Sequence, residues 1–172
     1  MENSAVVLNG VNDETYYMID VDGVILDTEE RIAMVAALVG WKEAFKIINW
    51  HEHIYSSKQI NGSLDILREV QQYLLRLQLV TLNHTEEEEK EKICYLRENG
   101  IYVPIVSVPK KMSKSFVVPP SFYNGNVVLV DDKLKNCLEW ESAGGIGVYF
   151  TQDDREVPLQ KVKSLDFLKK VK

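Results

Sequence analysis

Two aspartates one residue apart close an apolar run in Tyr16-Tyr17-Met18-Ile19-Asp20-Val21-Asp22-Gly23. Carboxylates that close repel unless a cation or a shared proton lies between them. Gly23 lets the chain leave in a turn that aims both side chains, or one side chain and a backbone carbonyl, at one ion. A second pair, Asp131-Asp132, ends the apolar run Val127-Val128-Leu129-Val130, and Lys114 stands in the loop leading to that run. Four carboxylates meeting in one crevice call for a cation, and oxygen-only ligands favour Mg²⁺. A carboxylate to attack, a neighbour to move the proton, and Mg²⁺ with a lysine to hold charge together suit phosphoryl transfer.

These residues need elements that bring them together. Tyr16 to Ile19, Leu79 to Leu82, Tyr102 to Val108, Val127 to Val130 and Ile146 to Phe150 read as apolar strands, the last closing the sheet. Helical periodicity lies between them: Glu29 to about Gly40, one further helix within Trp41 to Ile60, Ser63 to Arg76 on the spacing of Leu64, Leu67, Val70, Leu74 and Leu77, and a helix begun by Leu134 and Leu138. Thr85-Glu86-Glu87-Glu88 is a capping-box start, so the Glu86 to Glu89 run reads as a solvated helix beginning, and Asn99-Gly100 closes that helix. Ala5-Val6-Val7-Leu8 reads as an additional edge strand, and Ser164 as the cap of a terminal helix.

Continuously apolar strands alternating with helices predict an α/β, Rossmann-like, mostly parallel sheet flanked by helices. Residues 1–28 and 62–172 form this core, and 29–61 a small helical cap inserted after the first strand. In such sheets ligands sit at the carboxyl ends of the strands. Asp20 and Asp22, the Thr81 to Thr85 turn and Asp131-Asp132 all fall there.

The 172 residues are 45% hydrophobic and 27% charged with a formal charge of -6, so a basic nucleic-acid footprint is absent and no membrane partner is expected. No apolar run approaches the roughly 20 residues that span a bilayer, and a cytoplasmic protein is expected. Cys94 and Cys137 read as two reduced thiols. His51 and His53 read as ordinary polar neighbours of Trp50, while Trp41, Phe45 and Trp50 either pack the inserted helices or line a specificity pocket.

Asp20-Val21-Asp22-Gly23-Val24-Ile25-Leu26-Asp27-Thr28 resembles the first signature of the haloacid dehalogenase superfamily, and Val128-Leu129-Val130-Asp131-Asp132 with Asn136 and Gly144-Gly145 resembles its fourth. The resemblance implies a Rossmann-like core, an aspartyl-phosphate mechanism and Mg²⁺. It implies Asp20 as nucleophile and Asp22 as acid/base whose backbone carbonyl also binds the metal. Asp132 would be a direct ligand, and Asp131 a direct or water-bridged one. Lys114 matches the third signature, with Lys110 and Lys111 as competitors. The segment Ser113 to Val118 is similar to the lysine-to-aspartate connection of the 5'(3')-deoxyribonucleotidase-type phosphatases. The second signature departs from the pattern: one alignment puts Leu82 where a phosphate-binding hydroxyl belongs, a shift of one gives Thr81, and a third gives the amide of Asn83.

Three functions compete. The first is a Mg²⁺-dependent phosphatase hydrolysing a small phosphomonoester, a metabolite or nucleotide. The second, motivated by Leu82, is a catalytically weak or inactive phosphate- and metal-binding regulatory protein. A dehalogenase using the same aspartate is disfavoured, because Asp22 and the second carboxylate pair serve a metal that dehalogenation does not require.

Overall fold

The computed structural model describes residues 8–171. The edge strand expected at Ala5 to Leu8 lies outside them except for Leu8. The chain runs β1 (Tyr16–Asp20), β2 (Leu26–Asp27), α1 (Glu29–Val39), α2 (Trp41–Ile47), α3 (Trp50–Ser56), β3 (Lys58–Gln59), α4 (Ser63–Val70), β4 (Leu77–Asn83) and α5 (Glu86–Glu98). It continues through β5 (Ile105–Pro109), α6 (Lys114–Val117), β6 (Val127–Asp131), α7 (Leu134–Ser142), β7 (Ile146–Phe150) and β8 (Gln160–Val162).

Six strands form one parallel sheet in the order β5-β4-β1-β6-β7-β8. The central strand is buried on both faces, which is why it reads as a continuous apolar run. Tyr17 and Ile19 join Leu79, Val128 and Val130 beneath Leu67 and Val70 of α4 and Leu96 of α5. Met18 points the other way, into Val80, Val127, Leu129 and Trp140 of α7. The two-residue alternation thus divides one strand between two cores.

The register positions the chemistry. Ile19 pairs with Val130, so Asp20 lies level with Asp131 at the end of β6, while its pairing with Val80 leaves β4 running three residues further, to Asn83. The chain leaves β1 between strands that run on to opposite sides of the sheet, the place where α/β sheets open a crevice. The antiparallel pair of β2 and β3 brackets α1 to α3. Those helices carry their own small cluster of Ile32, Ala36, Ala44 and Trp50. Among the described residues no helix is long and apolar enough to cross a membrane.

Several expected boundaries are corrected. The helix of Ser63 to Arg76 stops at Val70, where the side chain of Gln71 donates to the carbonyl of Gly100 at 2.7 Å and accepts from the amide of Tyr102 at 2.8 Å. Leu74 and Leu77 remain buried because the chain turns straight into β4, which extends two residues earlier than expected. The single helix read within Trp41 to Ile60 is two, since the Asn49 side chain accepts from the amide of Glu52 at 3.0 Å and starts α3 afresh. The third strand begins at Ile105, after an exposed Tyr102. Ile146 to Phe150 is followed by one more strand, β8, whose only buried residue is Val162 and which therefore left little apolar signal. The C-terminal helix is a 3₁₀ turn over Asp166–Lys170 whose N-cap is Leu165, not the expected Ser164; the Ser164 hydroxyl accepts from the Asp166 amide in a local turn just before it.

The fold makes a simple contrast measurable. Leu67→Ala removes a fully buried side chain beneath β1 and is expected to cost about 2–5 kcal/mol. Leu75→Ala, at a site 90% exposed, is expected to stay within about 0.5 kcal/mol. Urea denaturation of the two variants checks the difference.

Candidate active site

Asp20 is the last residue of β1, and its side chain is 6% exposed. One carboxylate oxygen accepts the Val21 amide at 2.8 Å, and the other meets Lys114 Nζ at 2.7 Å. Lys114 opens the single turn of α6 and reaches Asp131 at 2.6 Å as well, so one buried ammonium bridges the ends of β1 and β6. Of the three candidate lysines it is the one in contact with Asp20. Lys110 sits higher in the same cavity, against Phe45. Asp131 is fully buried and also accepts from the Lys133 backbone amide at 2.8 Å and from the Asn136 side-chain Nδ2 at 2.9 Å.

Carboxylate oxygens of Asp20, Asp131 and Asp132 lie within 4.8 Å of one another, close enough to share one ion. Burial, with Asp131 and Asp22 beside it, holds the Asp20 carboxyl well above the ordinary range despite the pull of Lys114. Burial likewise moves Asp132 up to about 6 against the opposing Lys133 ammonium. Such a site is short of positive charge, and its donors are all hard oxygens, so the residues present fit a Mg²⁺ ion. Gly23 belongs to the same arrangement: its φ is +73°, and a Cβ there would run into the Asp132 carboxylate.

Asp22 faces a different partner. Its carboxylate lies outside the Asp20-Asp131-Asp132 group, accepting from Thr28 Oγ1 at 2.8 Å and from Lys92 Nζ at 2.7 Å. Burial would raise this carboxyl, but Lys92 and the two hydrogen bonds outweigh it and hold the group below the usual range. Lys92, whose side chain is 1% exposed, also meets Glu88 Oε1 at 2.6 Å, Asn83 Oδ1 at 3.1 Å and Thr81 Oγ1 at 3.2 Å. Burial alone would lower the Lys92 ammonium; Asp22 and Glu88 raise it instead.

This second lysine is the residue of the site that the sequence reading missed. Glu88-x-x-x-Lys92 looks like an ordinary solvent-facing pair on a charged helix. The signal was its register: Glu88, Lys92 and Leu96 make one stripe of α5, and a helix starting directly after β4 must turn one stripe toward the strand ends. The capping box is correspondingly half formed. Thr85 Oγ1 accepts from the Glu88 amide at 3.0 Å, while the Glu88 carboxylate turns to the His84 amide at 2.7 Å and to Lys92. Glu86 and Glu87 are exposed as expected of a helix start, whereas Glu88 is buried.

The β4 turn distributes its candidates unevenly. Leu82 and His84 line the cavity in front of Asp20, whereas Thr81 and Asn83 lie behind them, joined to the site through Asp22 and Lys92. His51 is exposed and paired with Glu91 at 2.8 Å, but His53 is buried on the cavity wall, contrary to the reading of both as ordinary polar neighbours. Trp50 packs in the small helical cluster, while Trp41 is exposed at the cavity rim.

No protein-family model and no curated protein matches the sequence. Solved structures match the fold. A putative beta-phosphoglucomutase from Thermotoga maritima is 15% identical with a TM-score of 0.59, covering 91% of this chain and 98% of its own. A Had-superfamily hydrolase from Ehrlichia chaffeensis is 12% identical with a TM-score of 0.56, covering 91% and 96%. The D,D-heptose 1,7-bisphosphate phosphatase from Burkholderia thailandensis is 13% identical with a TM-score of 0.55, covering 90% and 98%. The chain has the haloacid dehalogenase-like fold.

The Lys92 cluster can be tested apart from any reaction. Lys92→Met leaves the buried Glu88 and the half-buried Asp22 without their cation and is expected to destabilise the protein by about 3–5 kcal/mol. Lys90→Met, on the exposed face of the same helix, is expected to change stability by less than about 0.5 kcal/mol. Equal denaturation midpoints for the two variants would contradict the cluster.

Proposed function

We propose that the protein is a Mg²⁺-dependent phosphatase that hydrolyses a small phosphomonoester through an aspartyl-phosphate on Asp20. The observation that carries this reading is Asp20 itself: a carboxylate at the end of the central strand, 2.7 Å from Lys114 and grouped with Asp131 and Asp132. The likeness to folds whose members include a named phosphatase and a Had-superfamily hydrolase supports the reaction class.

In this reading Asp131, Asp132 and Asp20, with the backbone carbonyl of Asp22, would hold Mg²⁺. When bound, the ion neutralises the crowded carboxylates and the transferring phosphoryl oxygens. Lys114 lies against the Asp20 carboxylate and supplies a fixed positive charge where the phosphoryl group must arrive. The Asp20 carboxylate attacks phosphorus, the bond to the ester oxygen breaks, and the leaving oxygen takes a proton from water. A water then attacks the acyl phosphate, freeing phosphate and the Asp20 carboxylate, and its proton passes to the Asp22 carboxylate, which Lys92 and Thr28 hold ionised. Thr28 and Lys92 position Asp22 for that transfer. Thr81 and Asn83 contribute to the phosphate site through their bonds to this Asp22-Lys92 pair. Residues 29–61 act as a small cap over the crevice, leaving it open to solvent on one side.

The expected result is phosphate release from an aryl phosphate with added Mg²⁺, suppressed by a chelator and lowered at least about a thousandfold in Asp20→Asn. No release from a panel of aryl, sugar, glycerol and nucleoside phosphates would overturn the reading. A melting temperature raised by Mg²⁺ in the same preparation would then identify a binding protein.

A further inference from the structure

The helix α1 is apolar on both of its sides. From Ile32 to Val39 it carries eight residues in a row without a polar side chain. Ile32 and Ala36 face inward, into the cluster with Ala44 and Trp50. Ala33, Met34, Ala37 and Leu38 lie on the opposite side, at the three- and four-residue steps that make one stripe. All four are exposed, Met34 at 67% and Leu38 at 86%. Single exposed apolar residues are ordinary, but a helix apolar all round is normally covered all round. Among the described residues nothing covers this stripe.

The charges at its two ends identify what fits it. Glu30 stands one turn before the stripe on the same side, and Lys42 stands just past its other end, beyond Gly40. Their neighbours are already paired, Glu29 with Lys133 and Glu43 with Lys46. Glu30 and Lys42 are exposed and form no ion pair among the described residues. A stripe that is acidic at one end and basic at the other is complementary to itself reversed. Two copies related by a two-fold axis across α1 would lie antiparallel there, the Glu30 end of each against the Lys42 end of the other. That pairing also opposes the two helix dipoles, whereas a parallel one would set like charges and like dipole ends together. Ala33 and Ala37 add little bulk, so the helices can approach closely.

We infer that the protein self-associates as an antiparallel two-fold dimer through the outer stripe of α1, with Glu30 and Lys42 setting the orientation. The eleven residues of α1 span only about 16 Å. The contact therefore falls below the standard interface of about 1,600 Å², and a weak dimer with Kd of about 1–100 μM is expected. The inference stands apart from the phosphatase reading, and its test reads no catalysis.

Sedimentation velocity from about 1 to 500 μM measures the association. The expected result is a mass that rises from that of one chain toward that of two. Leu38→Glu is expected to raise Kd at least about tenfold by placing a charge in the apolar contact. Leu75→Glu, on an equally exposed leucine outside the inserted helices, is expected to leave Kd unchanged. Glu30→Lys and Lys42→Glu are each expected to weaken the dimer, and the double reversal to restore Kd to within about threefold of the starting value. A single chain at every concentration would overturn the inference and leave the stripe to a different partner. A dimer that Leu38→Glu does not weaken, or that the double reversal does not restore, would overturn it as well. Thermal melts of the same variants, all at exposed positions, show that each remains folded.

Discussion

Charge buried at the ends of parallel strands is the constraint on which the rest of this molecule depends. Asp20, Asp22, Asp131 and Asp132 converge on one crevice, and two nearly fully buried lysines divide them. Lys114 ties Asp20 to Asp131; Lys92 ties Asp22 to Glu88. Each ammonium would be driven neutral by burial alone and is held charged by its carboxylates. Neither half is stable without the other, because an isolated buried ion costs several kcal/mol. The carboxylates still outnumber the ammonium groups, leaving negative charge that suits a divalent cation.

The sheet serves that arrangement. Pairing Ile19 with Val130 brings the ends of β1 and β6 level, so Asp20 and Asp131, more than a hundred positions apart, share the Lys114 ammonium, while β4 runs three residues past Asp20 and brings Asn83 to Lys92. Val127 to Val130 and Tyr17 to Ile19 are buried on both faces, which fixes their register: a slip of one residue would exchange the two cores and move the aspartates off the edge. The polar cluster is therefore held by the best-packed part of the protein. The cavity-lining rings of Trp41, Phe45 and Trp50 belong instead to α2 and α3, outside that sheet.

Much of this was legible in the sequence because it follows from period and position. Apolar runs ending in aspartates gave the strands, their edge and the four carboxylates, whereas Lys114 was favoured over Lys110 and Lys111 only by a resemblance, and the choice waited for the contact of its Nζ with Asp20. What escaped was buried charge in helices. Lys92 and Glu88 look solvated in a run of acids and lysines, and only the packing of α5 against the end of β4 shows that their stripe faces inward. His53 escaped for the same reason, since its burial depends on how α3 docks. Short elements such as β8 carry too few buried residues to leave a pattern.

The most direct measurement is rapid-quench mass spectrometry of the Mg²⁺-loaded protein mixed with an aryl phosphate. The expected result is a phosphoryl group carried transiently on the peptide containing Asp20, absent when Asp20→Asn is used. Phosphate release that proceeds with no modified peptide, or with the phosphoryl group on another residue, would contradict the assignment of Asp20 as nucleophile.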